Sequence, residues 1–273
     1  QTADTYRRIR NTFRILLGNL HDFDPNSDTV ESNNLSFIDK WILERLHKTT
    51  CECLDGYKNY QFRKVFNSIN NFCTNDLSSI YIDITKDRMY CDLPNSLKRR
   101  STQSCINKVF NDLCKLLAPI LSFTADEAWE HAGNEPGDIH CETFPEPDPS
   151  FKPSKVSENM EILLKYRNII QQSIEPLRQE KLVRSNYEAS VELSLTNEDP
   201  EPIEFIGNQE DLHEFFMVSE LSTVKGNDEI SATTVKSNHP KCPRCWRLMP
   251  SDHPDHLCKR CEDAVNMIKS TTH

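Results

Sequence analysis

Two Cys-x2-Cys pairs near the end of the sequence constrain this chain more than any other feature. Cys242 pairs with Cys245 and Cys258 with Cys261, and twelve residues separate the two pairs. Each pair can place two thiolates on one side of a tight turn, and two such turns supply the four sulfurs that Zn²⁺ binds tetrahedrally. A shell of four thiolates leaves no position for an activated water. The spacing therefore predicts one Zn²⁺ ion with a structural role.

The alternatives for these four residues are two disulfides or four unrelated thiols. The sequence has 11 cysteines, an odd number, and the other seven are scattered through it: Cys51, Cys53, Cys73, Cys91, Cys105, Cys114 and Cys141. Such scatter is typical of reduced cysteines in a reducing compartment, which favours the metal. His253 and His256 lie between the pairs and could replace a ligand, although solvated loop residues are the simpler interpretation.

The composition is that of a globular protein. Of the 273 residues, 37% are apolar and 27% charged, unlike low-complexity sequences. No apolar run approaches the roughly 18 residues of a membrane-spanning helix, and residues 1–5 lack the features of a signal peptide. We therefore expect no membrane association. The missing initiator methionine favours a piece of a longer protein, so the missing targeting signal leaves the compartment open.

The net charge of -10 is unevenly distributed. Residues 1–132 hold 17 basic and 17 acidic residues, residues 133–230 hold 8 and 21, and residues 231–273 hold 7 and 4. Local patches rather than the total decide association with a polyanion. A nucleic acid could therefore bind to either end of the chain, and the acidic middle is expected to face away from it.

Apolar residues at helical spacing predict an antiparallel helical bundle over residues 1–132. The predicted helices run from Tyr6 to Leu20, Phe37 to Tyr57 and Phe62 to Ile80. A fourth follows the polar loop at 94–96 and has its apolar residues between Ile106 and Leu117, and a short one runs through Trp129. Thr124 and Glu127 have the spacing of a capping box for the short helix.

Residues 133–153 contain 5 of the 15 prolines and are typical of a linker. Residues 154–235 predict a small acidic α+β unit, with a helix broken or kinked at Pro176 and a strand at Tyr187–Leu195, where apolar and polar residues alternate. A helix near 209–215 and strands near 217–224 and 229–235 complete it. Residues 236–273 form the zinc-binding module. The fold class is mainly α: a helical bundle, then the α+β unit and a C-terminal four-cysteine zinc ribbon or knuckle.

Several basic residues are candidates for contact with nucleic acid. Arg7, Arg10 and Arg14 share one flank of the first helix, and Arg99 and Arg100 form a second basic run. In the cysteine-rich module Trp246 could stack on a base and Arg247 could bind a phosphate. The simpler alternatives are a solvated charged face and a tryptophan packed against the metal knuckle. No catalytic constellation is present: we find no glycine-rich phosphate loop and no nucleophile elbow.

Several segments resemble the anticodon-binding domain of isoleucyl-tRNA synthetases, which are class Ia aminoacyl-tRNA synthetases. They are residues 6–14 (YRRIRNTFR), 17–23 (LGNLHDF), 76–79 (DLSS), 86–91 (KDRMYC), 99–103 (RRSTQ) and 117–129 (LAPILSFTADEAW). Residues 242–246 (CPRCW) and 257–261 (LCKRC) resemble the C-terminal zinc motif of the bacterial and organellar type. Residues 184–186 (RSN) depart from the small Gly-Ser-Ser turn expected there.

The resemblance implies a function. This family activates isoleucine with ATP and transfers it to tRNA(Ile), and the matching part positions the anticodon stem-loop. The ATP site belongs to a core upstream of this part, so the chain alone is expected to be inactive. The resemblance also implies one structural Zn²⁺, a monomeric parent enzyme and no DNA partner. A bacterial-type cytoplasmic location is expected, with the mitochondrial or plastid matrix as the alternative.

Two other classes remain open from the sequence. A similar zinc knuckle occurs in DNA-repair glycosylases of the formamidopyrimidine type, although the upstream helical bundle does not fit them. A helical bundle with a zinc ribbon could also be a protein-interaction scaffold that binds no nucleic acid.

Overall fold

The chain divides into two compact units, each made of two stretches of sequence. The computed structural model describes residues 2–251 and 257–271. The helical unit comprises Gln1–Asp83 and Pro94–Ser157, and the mixed unit comprises Ile84–Leu93 and Glu158–His273.

Helices dominate the described residues, and most of the longer ones match segments that the sequence predicts as helical. The α-helices are α1 (Thr2–Asn19), α2 (Phe37–Lys58), α3 (Phe62–Asn71), α4 (Asp83–Cys91), α5 (Leu97–Leu117), α6 (Ser122–His131), α7 (Lys155–Gln179), α8 (Pro202–Ile206), α9 (Gln209–Phe216) and α10 (Lys259–Thr271). A π-helix at Phe72–Ile82 joins α3 to α4. Within the described residues no helix has both the length and the apolar character needed to cross a bilayer.

The core of the helical unit lies between α1, α2, the π-helix, α5 and α6. On α1 the predicted apolar face is buried: Ile9, Phe13 and Leu16 are each at most 3% exposed. Phe13 meets Phe110 of α5 edge to face, with 5.9 Å between ring centroids, a favourable aromatic geometry. Burial of this face attaches α1 to the bundle and leaves its arginine flank outward.

A buried carboxylate fixes the start of α2. Asp39 is fully buried, and it accepts hydrogen bonds from the hydroxyls of Ser36 (2.6 Å), Tyr81 (2.7 Å) and Ser101 (2.6 Å). A buried charge needs such donors because it has lost its hydration. Tyr81 and Ser101 lie 42 and 62 residues from Asp39 in the sequence, so this network connects α2, the π-helix and α5.

The mixed unit is built on a three-stranded sheet in the order β2-β1-β3. The strands are β1 (Ala189–Leu195), β2 (Glu220–Lys225) and β3 (Ser231–Lys236). β1 pairs with β2 in parallel and with β3 antiparallel. The alternation of apolar and polar residues in β1 predicts which face of the strand is buried. The structure agrees, because Ala189, Val191, Leu193 and Leu195 are all buried.

Side-chain pairs connect the helices of the mixed unit. Arg88 of α4 binds Glu214 of α9 through two hydrogen bonds of 2.6 and 2.9 Å, and both residues are buried. Ser173 of α7 bonds to Thr234 of β3 at 2.6 Å. A buried bidentate pair is directional as well as strong, so it fixes α4 against α9.

Three local predictions were wrong. α7 continues unbroken through Pro176, where the missing N–H removes a single hydrogen bond, to the carbonyl four residues earlier, near the end of the helix. The predicted third helix is α3 followed by the wider π-helix, because a pattern of apolar residues three and four apart does not distinguish the two forms. α6 begins at Ser122, and the hydroxyl of Thr124 meets that of Tyr6 at 3.2 Å instead of capping the helix.

The segment 133–153 carries two short 3₁₀ turns, at Asp138–Cys141 and Pro149–Phe151. Ile139 and Phe151 are buried within the helical unit. The predicted domain boundaries at 132, 153 and 235 stay predictions.

Candidate metal centre and nucleic-acid interface

Two turns bring the four cysteines of the metal motif together in the mixed unit. The first turn is closed by hydrogen bonds from the N–H of Cys242 to the carbonyl of Arg247 and from the N–H of Trp246 to the carbonyl of Cys242, both 2.9 Å. The second turn leads into α10, and the N–H of Cys258 donates to the sulfur of Cys242 at 3.5 Å. These hydrogen bonds bring the two cysteine pairs to face one another.

The geometry of the cluster fits a tetrahedral metal. The four Sγ atoms lie within 4.8 Å of one another and all four residues are buried. Cys245 and Cys258 have their sulfurs 3.8 Å apart, and a tetrahedral ion with bonds of about 2.3 Å requires sulfurs about 3.8 Å apart. All four cysteines are free thiols, so the disulfide alternative is wrong for this structure.

One arginine offsets the negative charge of the sulfurs. Arg244 donates to the sulfur of Cys261 at 3.5 Å and to the carbonyl of Cys91. Hydrogen bonds with Cys245 lower the pKa of the Cys261 thiol and raise the pKa of the Cys258 thiol. Metals bind the thiolate form of cysteine, and the Arg244 guanidinium favours that form at Cys261.

A fifth cysteine packs against the four. Cys91, at the end of α4, belongs to the same buried cluster, and burial raises the pKa of its thiol to about 12. Arg260, next to Cys261 in the sequence, forms ion pairs with Asp87 (2.6 Å) and Asp92 (3.1 Å). The cysteine-rich module is therefore attached to the segment 84–93, a contact that the spacing of the cysteines could not reveal. His253 and His256 lie outside the described residues.

The two candidates beside the first cysteine pair have opposite exposures. Trp246 is 68% exposed and stands in the left-handed backbone region, with φ of 63°. Arg247 is only 4% exposed, and its guanidinium lies 5.4 Å from the ring centre of Tyr187 and 3.7 Å from Asp87. The alternative of a tryptophan packed on the knuckle does not fit this exposure. The burial of Arg247 favours a packing role.

The arginine flank of α1 borders an open groove. Arg7, Arg10 and Arg14 are exposed, and they line a cavity of about 410 Å³ together with Glu127 and His131 of α6. Such a concave basic surface can hold the phosphates of a polyanion.

Charges within the groove are partly paired. Arg10 binds both carboxylate oxygens of Glu127, one of them at 2.7 Å, and the hydrogen bond to Glu127 raises the pKa of the guanidinium. Arg7 pairs with Asp4 at 3.2 Å. Arg14 forms no ion pair within the part of the chain that the structure describes. Because exposed pairs are weak and screened by salt, a phosphate could displace the carboxylates.

The arginines of the second basic run, Arg99 and Arg100, bind to groups within the helical unit. Arg99 is 6% exposed and binds both oxygens of Asp22, at 2.6 and 2.9 Å. Arg100 contacts the carbonyl of Asp22 at 2.7 Å and the carboxylate of Asp28 at 3.2 Å. These contacts attach the loop after α1 to the start of α5. Since both guanidiniums are engaged inside the fold, their predicted contact with tRNA stays a prediction, and α1 offers the more accessible arginines.

Comparison with known proteins agrees with this architecture. The family model described as the anticodon-binding domain of tRNA ligase matches residues 39–193. The chain is 35% identical to an isoleucine–tRNA ligase of Desulforudis audaxviator and 35% identical to one of Symbiobacterium thermophilum, in each case over 97% of this chain and 30% of the relative. An isoleucine–tRNA ligase of Persephonella marina is 37% identical over 98% of this chain and 30% of the relative.

The matching residues include α2, α5, α6 and part of the mixed unit, so the family model covers more than half of the chain. The chain therefore belongs to the family of anticodon-binding domains of tRNA ligases. Among those, it is similar to the isoleucine–tRNA ligases, and the resemblance stated from the sequence is confirmed. The chain spans about a third of the length of these relatives.

Proposed function

We propose that this chain is the tRNA-binding part of an isoleucine–tRNA ligase and that it binds the anticodon stem-loop of tRNA(Ile). The observation that carries the proposal is the similarity to isoleucine–tRNA ligases over 97% of the chain. This similarity extends beyond residues 39–193 and therefore includes most of α1 and most of the cysteine-rich module.

The surface chemistry supports RNA as the partner. An anticodon loop offers unpaired bases to stack and phosphates to pair. The groove beside α1 exposes three arginines, and Trp246 presents an exposed ring in the mixed unit. Each unit thus carries a candidate contact of the kind that single-stranded RNA requires.

Zn²⁺ is the metal that fits the cluster best. Four buried thiolates are a soft, tetrahedral ligand set, which selects zinc over magnesium or calcium. With all four positions taken by cysteine sulfurs, the ion holds the two turns together and takes no part in bond chemistry. Elemental analysis should find about one zinc per chain, and a Cys242→Ser variant with undiminished zinc would contradict the assignment.

The ligase reaction itself belongs to the whole protein. Activation of isoleucine with ATP and its transfer to tRNA need a site that the residues described above do not form. We therefore expect the chain alone to bind tRNA and to catalyse no isoleucine-dependent exchange of pyrophosphate into ATP. The cytoplasm, or an organellar matrix, is the location that this function requires.

Binding measurements separate this function from a DNA-binding repair module and from a protein scaffold. The zinc-loaded chain should shift tRNA(Ile) in a native gel more strongly than duplex DNA of equal charge. Its affinity should fall as salt rises, because phosphate contacts release counterions. Preference for duplex DNA would favour the repair module, and no shift with either nucleic acid would favour the scaffold.

A further inference from the structure

The connection between α2 and α3 displays two large rings on the surface of the helical unit. Tyr60 is 82% exposed and Phe62 is 51% exposed. We call residues 57–63 the aromatic turn. Single exposed rings are common on protein surfaces, but two of them on adjacent parts of one turn form a candidate contact surface.

The backbone of the aromatic turn makes this exposure more unusual. Tyr60 has φ of 55°, and it occupies the left-handed position of a helix C-terminal motif that glycine normally fills. The N–H of Tyr60 donates to the carbonyl of Tyr57 at 3.1 Å, and the N–H of Gln61 donates to the carbonyl of Gly56 at 2.7 Å. A glycine at position 60 would satisfy the same hydrogen bonds with less strain. The tyrosine therefore points to a function of the ring itself.

Tyr60 is the last of four aromatic rings that contact one another in sequence. Phe144 stacks on Tyr57 with 4.8 Å between centroids, Tyr57 meets Phe62 edge to face at 6.1 Å, and Phe62 meets Tyr60 edge to face at 6.3 Å. The hydroxyl of Tyr57 donates to the carbonyl of Leu116 at 2.5 Å. The hydrogen bond anchors Tyr57, and the contacts between successive rings favour an ordered arrangement of Phe62 and Tyr60, which lowers the entropy lost when a ligand stacks on them.

The charges of the aromatic turn decide what kind of ligand fits. Lys58 and Arg63 are exposed, and neither forms an ion pair among the residues whose positions are described. The neighbouring Lys64, in contrast, binds Asp55 at 2.6 Å. Exposed rings interleaved with unpaired cations match the bases and phosphates of single-stranded nucleic acid, whereas an apolar protein partner would leave both cations without counter-charges.

We propose that Tyr60 and Phe62 form a stacking platform for an unpaired base of bound RNA, with Lys58 and Arg63 placed for the adjoining phosphates. The inference rests on the proposed function and adds a contact site to it. Because every base has a π-face, the platform would hold a nucleotide firmly without reading its identity. It would thereby add affinity, while other residues supply sequence discrimination.

Replacement of Tyr60 by glycine separates stacking from folding. Tyr60→Gly removes the ring and relieves the left-handed backbone strain, so its melting temperature should equal or exceed that of wild type. Its affinity for the anticodon stem-loop should fall about tenfold, as expected for the loss of one stacked base. Tyr60→Phe should retain the affinity. Phe123→Ala, which removes another ring that is 93% exposed in the helical unit, is the matched control and should bind as wild type does.

A fluorescent base reports the stacking directly. Stem-loops with 2-aminopurine at successive loop positions are titrated with the full zinc-loaded chain, and one position should lose fluorescence with wild type and with Tyr60→Phe but not with Tyr60→Gly. Wild-type affinity and quenching for Tyr60→Gly would overturn the platform alone. If the wild-type chain bound no tRNA at all, the proposed function and the platform would both be wrong.

Discussion

At the scale of single residues, Asp22 shows how one carboxylate organises a loop. It accepts hydrogen bonds from Arg99 and, at 2.8 Å, from the amide of Gln103. The hydrogen bond from Arg99 lowers the pKa of Asp22 from its ordinary value of 3.8 to about 2. Since the folded state favours the ionised form, this group adds to stability only when the carboxyl is charged.

The pH dependence of this contribution can be measured. Because the pKa is lower in the folded state, the stabilisation is complete above about pH 4 and is lost as the pH falls towards 2. Asp22→Asn should lower the free energy of unfolding by about 2 kcal/mol at pH 6, and the difference from wild type should shrink at acid pH. Urea unfolding across that range checks this, and a difference independent of pH would contradict it.

What the sequence could predict at this scale depends on how far apart the partners lie. The four cysteines could be identified because their ligand spacing is local, and the structure places their sulfurs together. The partners Asp22 and Arg99 are 77 residues apart, and Tyr60 and its left-handed backbone follow from no local pattern. Arg99 was a candidate for tRNA binding because the sequence alone does not distinguish an arginine that binds a distant carboxylate from one that is free to bind a phosphate.

At the scale of elements, helical periodicity was the most reliable signal, because one buried face per helix suffices to produce it. It predicted α1, α2 and α5 and their inner faces. Alternation of apolar and polar residues likewise predicted the strand β1 and its buried face. The π-helix at Phe72–Ile82 was not predicted, because apolar residues three and four apart do not distinguish it from an α-helix. Arg45 binds Asp76 of that segment at 2.9 Å.

The arginine flank of α1 gives a prediction for this element. A variant with Arg7, Arg10 and Arg14 all changed to alanine should bind tRNA less tightly, and the slope of its salt dependence should decrease by about 0.7 for each single-strand phosphate that the variant no longer neutralises. Lys152, Lys155 and Lys225, which are exposed cations elsewhere, form the matched control when they are changed together. Filter binding at several salt concentrations measures both properties.

Glu127→Gln sharpens this test of the groove. The change removes the carboxylate that pairs with Arg10 and leaves the guanidinium available to a phosphate, so tRNA binding should be retained or become tighter. Equal losses of affinity in the arginine and lysine variants would show that the flank is only a solvated charged face.

At the scale of the whole molecule, the metal site and the mixed unit depend on each other. The cysteine-rich module is small, and we expect binding of a metal to supply much of the free energy that folds it. Its contacts with Cys91, Asp87 and Asp92 extend that effect to the segment 84–93. Loss of the metal should therefore loosen more than the two cysteine turns.

Hydrogen exchange can follow this coupling. In Cys258→Ala, amides in residues 242–248, 257–265 and 84–93 should exchange faster than in wild type, whereas those of α2 and α5 should stay protected by their own apolar core. Cys51→Ala, at an exposed cysteine, is the control. Faster exchange throughout α2 and α5 would mean that the metal supports the fold of both units.

The central claim is that the chain binds tRNA through the anticodon stem-loop, and an anticodon exchange tests it most directly. The dissociation constant of the zinc-loaded chain is measured for tRNA(Ile) and for the same tRNA with a different anticodon. We expect the exchanged tRNA to bind at least tenfold more weakly, because single-stranded bases carry the sequence information in RNA recognition. Equal dissociation constants for the two tRNAs would contradict the account.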